Sequence, residues 1–282
     1  MELDLARLRA LAAAVDHGSF EAAAVRLHVT PSAISQRIRA LERQAGRVLL
    51  VRARPIVATE AGSTLLRVAR QIDALAADAG RALDADGAVL PIAVNADSLA
   101  TWVLPALAPL AEGIAFEFHR GDQSRTLELL RDGTVLAAIS SEPETVQGCR
   151  MRRLGDMRYL PCASPAFVER WFADGIAAGL ASAPMLVFDE HDGLQRRLLD
   201  ELAPGSAPPR HRVPGSADFV LAAELGFGWG MVPEAQRTER LVPIVEGAGI
   251  DVPLHWHAWS LGTPALERAE AALVAATPRA GG

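Results

Sequence analysis

Apolar and polar positions recur with helical spacing between Pro31 and Gly46. Successive residues of an α-helix are turned by about 100°, which places four apolar side chains within a sector of about 60°, those of Ile34, Ile38, Leu41 and Ala45. Polar side chains fall on the opposite side of the helix, those of Ser32, Gln36, Arg39 and Arg43. The pattern predicts a helix with one face for a protein core and one face for an anionic partner.

Start and stop signals place a second short helix before this one. Ser19 is suited to cap a helix that runs to Leu27. Thr30, followed by a proline, supplies the N-cap of the next helix, and Gly46 ends it. Apolar residues between positions 3 and 15 also recur at helical spacing. The N-terminal segment therefore predicts a three-helix core that contains a helix-turn-helix.

Two short β-prone runs follow, at residues 48–52 and 56–58. They flank a turn and predict a two-stranded wing. Arg52 and Arg54 lie at its tip. A wing at this place would lie over the phosphates or the minor groove, where arginine is favoured by the negative potential.

The charge of this region differs from that of the rest of the chain. Residues 30–59 contain six arginines and one acid, Glu42, a local charge of +5 in a chain with a formal net charge of −6. A helix-turn-helix in the major groove of DNA explains this concentration. The alternative is an ordinary helix pair with a solvated basic face. The DNA contacts that we predict are Ser19, Thr30, Ser32, Ser35, Gln36, Arg39, Arg43, Arg52 and Arg54.

A long helix is predicted from Thr59 to about Asp84. Its apolar residues recur at alternating intervals of 3 and 4 positions, at Leu65, Val68, Ile72, Leu75 and Ala79. We interpret them as a coiled-coil seam between two subunits, because a dimer of winged helices matches two-fold operators. The alternative is a helix that docks on its own domain. Residues 85–88 are the predicted hinge.

From Val89 onward, short strands and helices alternate. Such alternation predicts a mostly parallel sheet with ligands at the carboxyl ends of the strands. A crossing strand is predicted at residues 158–163, and two α/β lobes joined by two such crossings would enclose a cleft. The predicted divisions are a winged helix-turn-helix domain at 1–58, a linker helix and hinge at 59–87, lobe I at 88–161 with 262–282, and lobe II at 162–261.

Other classes of protein lack support in the sequence. Cys149 and Cys162 are too few for a disulfide framework. We find neither a leader pattern nor an apolar run of membrane-spanning length, so we expect a cytoplasmic protein. His255 and His257 lack a third ligand nearby in the sequence, so no metal site is expected. No nucleophile elbow, phosphate-binding loop or paired-carboxylate motif points to an enzyme.

The N-terminal region contains a specific series of residues: Ser19-Phe20, Ala22-Ala23, Leu27, Thr30 to Ser35, Ile38, Leu41-Glu42, Gly46, Leu49, Arg52, Thr59 and Ala61-Gly62. With this series and the order of its predicted units, the chain resembles the LysR-type transcriptional regulators over nearly its whole length. The family usually has Phe where Leu50 stands and often Asp where Leu136 stands, and the second departure indicates a cleft that is not generic. The resemblance implies a winged helix-turn-helix with a long linker helix, then a two-lobed α/β effector-binding domain similar to periplasmic binding proteins.

A narrower likeness concerns residues 49–52, 92–102 and 226–233. These segments resemble the LysG and ArgP branch of the family, whose members sense lysine or arginine and control the export of basic amino acids. The resemblance implies a co-inducer, L-lysine or L-arginine, and no other cofactor. Inhibition of chromosome replication initiation, also described for the branch, is a less favoured role.

Residue chemistry independently suggests where a basic amino acid would bind. Such a ligand needs donors for its carboxylate and acceptors for its ammonium and its side-chain cation. We expect Asp97 or Ser98 to cap a helix and Ser98 to bind the carboxylate, while Asp122 and Asp189 accept the cations. For each acid the alternative is a helix cap or a solvated loop carboxylate. The effector-binding candidates are Asn95, Asp97, Ser98, Thr101, Asp122, Ser140, Asp189 and Ser216.

The sequence therefore predicts a LysR-type regulator that responds to lysine or arginine and controls an exporter gene. The alternatives are a LysR-type regulator with another effector, a two-lobed solute-binding protein, and an enzyme with an accessory DNA-binding domain. The expected partners are double-stranded promoter DNA, a second subunit paired through the linker helix, and RNA polymerase during activation. The resemblance also implies that the chain forms a homotetramer on DNA.

Overall fold

The computed structural model describes residues 4–51, 53–84, 88–120, 123–190, 192–260 and 262–277. Of the sequence predictions, Arg52, Asp122 and most of the hinge lie outside the described residues. The helices and strands occur in the predicted order of a small helical unit, a long helix and a larger α/β unit.

The N-terminal unit is a three-helix bundle with a two-stranded wing. Its core contains Leu8 and Leu11 from the first helix and the predicted apolar face of the third. The two wing strands pair antiparallel. The elements are α1 (Leu5–Asp16), α2 (Phe20–Arg26), α3 (Pro31–Ala45), β1 (Leu50–Val51) and β2 (Val57–Ala58).

The long helix α4 (Glu60–Asp84) packs first on its own unit. Leu65, the first residue of the predicted seam, is buried in the N-terminal core, so this part of the seam prediction is wrong and the docking alternative holds there. Val68 and Ile72 are half-buried and pack against the same core. Leu75 is exposed, so the seam is open to another subunit at this residue.

The C-terminal unit begins with a parallel sheet. Strand β3 (Ala88–Val94) lies between β4 (Ile114–Arg120) and β5 (Ala137–Ser140) and is parallel to both. The helical segment after β3 is irregular, because a π-helical turn at Leu99–Val103 interrupts it. The helices here are α5 (Ala96–Ser98), α6 (Leu104–Leu107), a 3₁₀ turn (Ala108–Leu110) and α7 (Gln123–Arg131).

Two long antiparallel strands cross the C-terminal unit. Strand β6 (Cys149–Ala163) begins nine residues earlier than the crossing strand predicted at 158–163, and β11 (Ile250–Trp259) pairs along most of it. Beyond them lies a second sheet of two parallel strands, β7 (Met185–Val187) and β8 (Arg210–Arg212). The remaining elements are α8 (Pro165–Trp171), α9 (Ile176–Ser182), α10 (Leu194–Leu202), α11 (Ser216–Glu224), β9 (Gly230–Pro233), a 3₁₀ turn (Glu234–Gln236), β10 (Val242–Pro243) and α12 (Pro264–Ala276).

Because the crossing strands run through both halves, the edges of the cleft come from distant parts of the chain. The carboxyl ends of β3 and β5 lie side by side, with Val94 opposite Ile139. The loop after β7 and the start of α11 face them across the opening. The cavity between them therefore lies at the carboxyl ends of the parallel strands, which is where open α/β sheets generally bind their ligands.

Candidate functional site

Two surfaces carry the predicted chemistry, and the first is the exposed face of α3. The helix is held by the caps that the sequence predicts: Thr30 Oγ1 accepts a hydrogen bond of 3.2 Å from the Ala33 N–H, and Gly46 ends the helix with a φ of +66°. The preceding helix begins at Ser19, whose hydroxyl oxygen accepts from the Ala22 N–H at 3.0 Å. The orientation of α3 on its unit is therefore fixed at both ends.

The faces of α3 separate as predicted. Ile34, Ile38 and Leu41 are buried. Arg39 donates a hydrogen bond of 3.1 Å to the Ser35 hydroxyl, which extends its guanidinium along the outer face of the helix. The side chains that remain exposed on that face are those of Ser32, Gln36, Arg39 and Arg43.

The basic charge on this surface is not neutralised within the described chain. Among the described residues, no carboxylate forms an ion pair with an arginine of α3, with Arg47 or with Arg54. The nearest acid in sequence, Glu42, accepts a hydrogen bond from the Leu49 N–H at 3.1 Å and so fixes the chain that leads into the wing. The unpaired arginines are Arg37, Arg39, Arg43, Arg47 and Arg54.

The second surface is a cleft with a cavity of about 370 Å³ in the C-terminal unit. This volume suits a small ligand. Its walls combine acidic, hydroxyl and apolar side chains with one arginine. They include Asn95, Asp97, Ser141, Tyr159, Phe188, Asp189, Asp192, Arg197, Ser216, Phe219, Met231, Pro233, Val252 and Pro253.

Asp97 is the centre of the hydrogen-bond network in this cleft. Its carboxylate accepts from the Tyr159 hydroxyl at 2.8 Å and from the Ser216 hydroxyl at 2.6 Å. Burial and the neighbouring Asp97 raise the pKa of Tyr159 well above its ordinary value, so Tyr159 stays a proton donor. Both donors are neutral, and no described cation pairs with Asp97. Its negative charge is therefore available to a cationic ligand.

A second acidic group lies on the opposite wall. Asp192 accepts hydrogen bonds from the backbone N–H groups of Phe188 at 2.8 Å and Leu194 at 3.3 Å, which shape the loop after β7. Burial raises the pKa of Asp192, and the nearby charge of Asp189 adds to this effect, while the backbone hydrogen bonds oppose it. Desolvation disfavours the ionised form of the Asp192 carboxyl group, and a cation bound beside it would stabilise that form.

The structure brings four of the predicted effector residues to the cavity wall: Asn95, Asp97, Asp189 and Ser216. Three others lie off the wall. Ser98 is fully buried, Thr101 donates to the Asp97 carbonyl at 2.6 Å, and Ser140 is buried with its hydroxyl oxygen accepting from the Glu142 N–H. Asp122 lies outside the described residues.

The displacement of Ser98 follows from a wrong cap assignment. Asn95, and neither Asp97 nor Ser98, is the N-cap, since its side-chain oxygen accepts from the Ser98 N–H at 2.8 Å. The helix therefore begins two residues earlier than an Asp97 cap would require. Asp97 then faces the cleft, and Ser98 faces the interior.

Sequence reasoning missed the apolar residues of the wall and three residues with ionisable side chains: Tyr159, Asp192 and Arg197. Tyr159 is the only tyrosine of the chain and lies on the crossing strand β6. Asp192 follows the predicted Asp189 by three residues, so its place after the same strand was a usable signal. Arg197 lies on α10, and nothing in its sequence context marks it.

The cleft offers three carboxylates and one guanidinium. Such a set can accept cationic groups from a ligand and can donate to an anionic one. In the described part of the chain, no group of three or more His, Cys, Asp and Glu side chains is arranged to hold a metal ion. Likewise, no helix among the described residues is long and apolar enough to cross a membrane.

Family comparisons cover both units of the chain. Residues 5–63 match the family model described as "Bacterial regulatory helix-turn-helix protein, lysR family". Residues 85–277 match the family model described as "LysR substrate binding domain". These matches confirm the predicted order of a helix-turn-helix domain followed by an effector-binding domain.

Individual relatives match at full length. The lysine export transcriptional regulatory protein LysG of Corynebacterium efficiens is 41% identical over 277 residues, covering 95% of this chain and 95% of the relative. The crystal structure of ArgP from Mycobacterium tuberculosis superposes with a TM-score of 0.90 at 42% identity, covering 98% of this chain and 97% of that one. The structure of full-length LysG from Corynebacterium glutamicum with bound effector arginine superposes with a TM-score of 0.84 at 36% identity, covering 99% of this chain and 100% of that one.

Proposed function

Because the chain belongs to the LysR family of bacterial transcriptional regulators, we propose that its cleft binds L-arginine or L-lysine and that this ligand controls how α3 and the wing engage promoter DNA. Membership of this family makes the chain a regulator and excludes the enzyme and solute-binding alternatives. Two observations on its relatives support this choice of effector. The relatives are named LysG, a regulator of lysine export, and ArgP, and the structure of one LysG holds arginine as its effector.

The observation that carries the effector proposal is the uncompensated charge of Asp97. A partly buried carboxylate with two neutral donors and no described cation attracts a positive group more strongly than it would in open water. Asp189 and Asp192 add negative charge on the opposite wall. A basic amino acid supplies two cationic groups, one for each wall, and Arg197 is the donor for its carboxylate.

The DNA proposal rests on the exposed face of α3. Gln36 and Arg39 lie one turn apart on this face, so they can reach adjacent base edges in the major groove. Ser19, Thr30, Ser32, Ser35 and Arg43 surround them, and Arg54 lies on the wing. Phosphate contacts from these residues would fix the register of α3 on the duplex.

Assembly belongs to the same proposal. Leu75 is exposed on α4, and Val68 and Ile72, which pack on the N-terminal core, keep part of their surface accessible. We propose that a second α4 covers this face, giving a dimer, and that two dimers form a tetramer on DNA. Control of an exporter gene is supported by the name of the C. efficiens relative, a lysine export transcriptional regulatory protein. We also propose that the regulator recruits RNA polymerase in its activating state.

A selection followed by a titration tests the function. Purified protein is used to enrich fragments from a random duplex library, and the enriched fragment is titrated with protein in the presence of each of the twenty amino acids. We expect one fragment to bind far more tightly than random duplex, with arginine or lysine alone changing the complex. Binding without sequence preference would refute the DNA proposal, and a response to a different amino acid would favour the alternative of another effector.

A further inference from the structure

Arg70 forms hydrogen bonds to both the DNA-binding unit and the effector-binding unit from the helix between them. It lies near the middle of α4, and its side chain is only 17% exposed. One end of its guanidinium, Nη2, donates to the carboxylate of Asp16, the last residue of α1. The other end, Nη1, faces the C-terminal unit.

On that side, Arg70 binds the tight loop at residues 132–134, which precedes β5. Nη1 donates to the Asp132 carbonyl at 2.7 Å, to the Asp132 carboxylate at 3.1 Å and to the Thr134 hydroxyl at 2.9 Å. The Asp132 carboxylate also accepts from the Thr134 N–H at 2.8 Å. Charge-assisted hydrogen bonds of this kind are stronger and more directional than neutral ones. The loop is therefore held to α4 by a polar contact with little freedom to slide.

Packing between the loop and α4 is equally close. Gly133 has a φ of +78°, and a Cβ atom built there would lie 3.2 Å from the Arg67 Cα and 3.1 Å from the Trp259 ring. Arg67 donates to the Gln147 carbonyl at 3.0 Å, a second contact one turn earlier on α4. A movement of this loop must therefore move α4 or break the contacts of Arg70.

The same loop leads directly to the effector cleft. It continues into β5, and the residue after β5, Ser141, lines the cavity. Strand β5 is paired with β3, whose carboxyl end continues into Asn95 and Asp97. At the other end, α1 shares its core with Ile34 and Ile38 of α3. A short continuous route thus runs from the cleft through Arg70 to the DNA-reading helix.

We infer that Arg70 transmits the effector state from the cleft to the DNA-binding unit. It is a positioning residue that touches neither ligand. Its two carboxylate partners, Asp16 and Asp132, belong to the two units whose relative placement decides how α3 meets DNA. The inference rests on the proposed function, because it requires an effector in the cleft and DNA on α3. Coupling of this kind is a free energy shared between two sites and is reciprocal.

The test compares three variants with a matched control. Arg70→Gln removes the charge, Asp16→Asn weakens the contact on the DNA-binding side, and Asp132→Asn weakens it on the effector side. Arg9→Gln is the control, because Arg9 also joins α1 to α4 through an ion pair of 2.9 Å with Asp73 but does not reach the effector-binding unit. Far-UV circular dichroism verifies that each variant is folded. If Arg70→Gln is not folded, Asp16→Asn takes its place, because the Asp16 side chain is 43% exposed and its replacement disturbs the packing less.

Three quantities are measured for each protein. They are the affinity for L-arginine and for L-lysine by calorimetry, the affinity for the enriched DNA fragment without amino acid, and the affinity and bend angle of the same fragment at saturating amino acid. In the wild type, the amino acid is expected to change DNA affinity by about fivefold or more. In the three variants, amino-acid affinity and basal DNA binding persist, while the change falls to less than about twofold. Arg9→Gln responds as the wild type does.

The outcomes separate the two proposals. A wild-type protein whose DNA complex ignores both amino acids refutes the proposed function. A responsive wild type with equally responsive Arg70→Gln and Asp16→Asn variants overturns the role of Arg70 alone. Loss of the response in Arg9→Gln as well would also overturn it, since the effect would then belong to α1–α4 packing in general.

Discussion

The carboxylate of Asp97 accepts a hydrogen bond of 2.6 Å from the hydroxyl of Ser216, a residue 119 positions later in the chain. Asp97 follows the first strand of the parallel sheet, and Ser216 begins a helix on the opposite side of the cleft. This contact joins the two walls across the opening. A ligand that takes Asp97 as its acceptor must either share this carboxylate with Ser216 or replace that hydrogen bond.

We predict that Asp97→Asn weakens the binding of arginine and lysine by about tenfold to a hundredfold, which corresponds to the loss of one charge-assisted hydrogen bond of about 1.5–3 kcal/mol. The amide keeps the size of the carboxylate but lacks its charge. Isothermal titration calorimetry measures the affinity. Asp174→Asn, an exposed acid outside the cleft, is the matched control and should bind as the wild type does. Equal affinities for Asp97→Asn and the wild type would remove Asp97 from the effector site.

We predict that Gln36→Ala and Arg39→Ala each weaken specific DNA binding by about 1–3 kcal/mol, the usual range for a contact with a base edge. Both side chains are exposed on α3, and their removal leaves the buried face intact. Fluorescence anisotropy with the enriched fragment and with random duplex separates specific from nonspecific binding. Arg268→Ala, an exposed arginine on α12, controls for net charge. If both α3 variants retain wild-type affinity, the proposed DNA-reading face is wrong.

We predict that the binding of arginine weakens as the pH falls. Burial raises the pKa of Asp192 in the free protein, and a bound cation favours its ionised form, so the complex holds fewer protons than the free protein. Affinity is therefore full above the raised pKa and falls as the pH drops through it, with proton release on binding. Calorimetry in buffers of different ionisation enthalpy, at a series of pH values that rises from the ordinary pKa of an aspartate, measures that release. Asp192→Asn should abolish it, and binding without proton release in the wild type would exclude Asp192.

We predict that Gly62→Ala destabilises the DNA-binding unit by about 1–3 kcal/mol, the range for overpacking of a close contact. A Cβ atom at position 62 would lie 1.9 Å from the Leu49 carbonyl oxygen, where α4 begins against the wing. Gly113→Ala is the control, because no atom lies within 4 Å of the added carbon there. Urea unfolding followed by circular dichroism gives both values. A Gly62→Ala variant as stable as the wild type would contradict the packing between α4 and the wing.

The sequence was most informative where the signals are local. Caps, a helical apolar repeat and a left-handed glycine define α3 through residues that are near neighbours in the chain, so Thr30, Ile38 and Gly46 could be read directly. The family resemblance then supplied the order of the units. Both agree with the structure because neither depends on contacts between distant segments.

The cleft was harder to predict, because its walls meet only in the folded chain. Two adjacent polar residues, Asp97 and Ser98, looked equivalent in sequence, and the cap by Asn95 decides which of them faces the cavity. Tyr159 reaches the cleft through the long crossing strand β6, whose first half we did not predict. The α4 seam was misjudged at Leu65 because a periodic apolar stripe does not reveal whether its partner is the same chain or another.

The most direct test of a cleft built for a cationic side chain uses Tyr159, the only tyrosine in the protein. Incorporation of 3-fluorotyrosine gives a single ¹⁹F resonance next to Asp97, to which the Tyr159 hydroxyl donates. The protein is titrated with L-arginine, L-lysine and L-citrulline, the last being an uncharged analogue of arginine. We predict a saturable shift of the resonance with arginine or lysine and none with citrulline at the same concentrations. A resonance that is indifferent to both basic amino acids, or that responds equally to citrulline, would contradict the account.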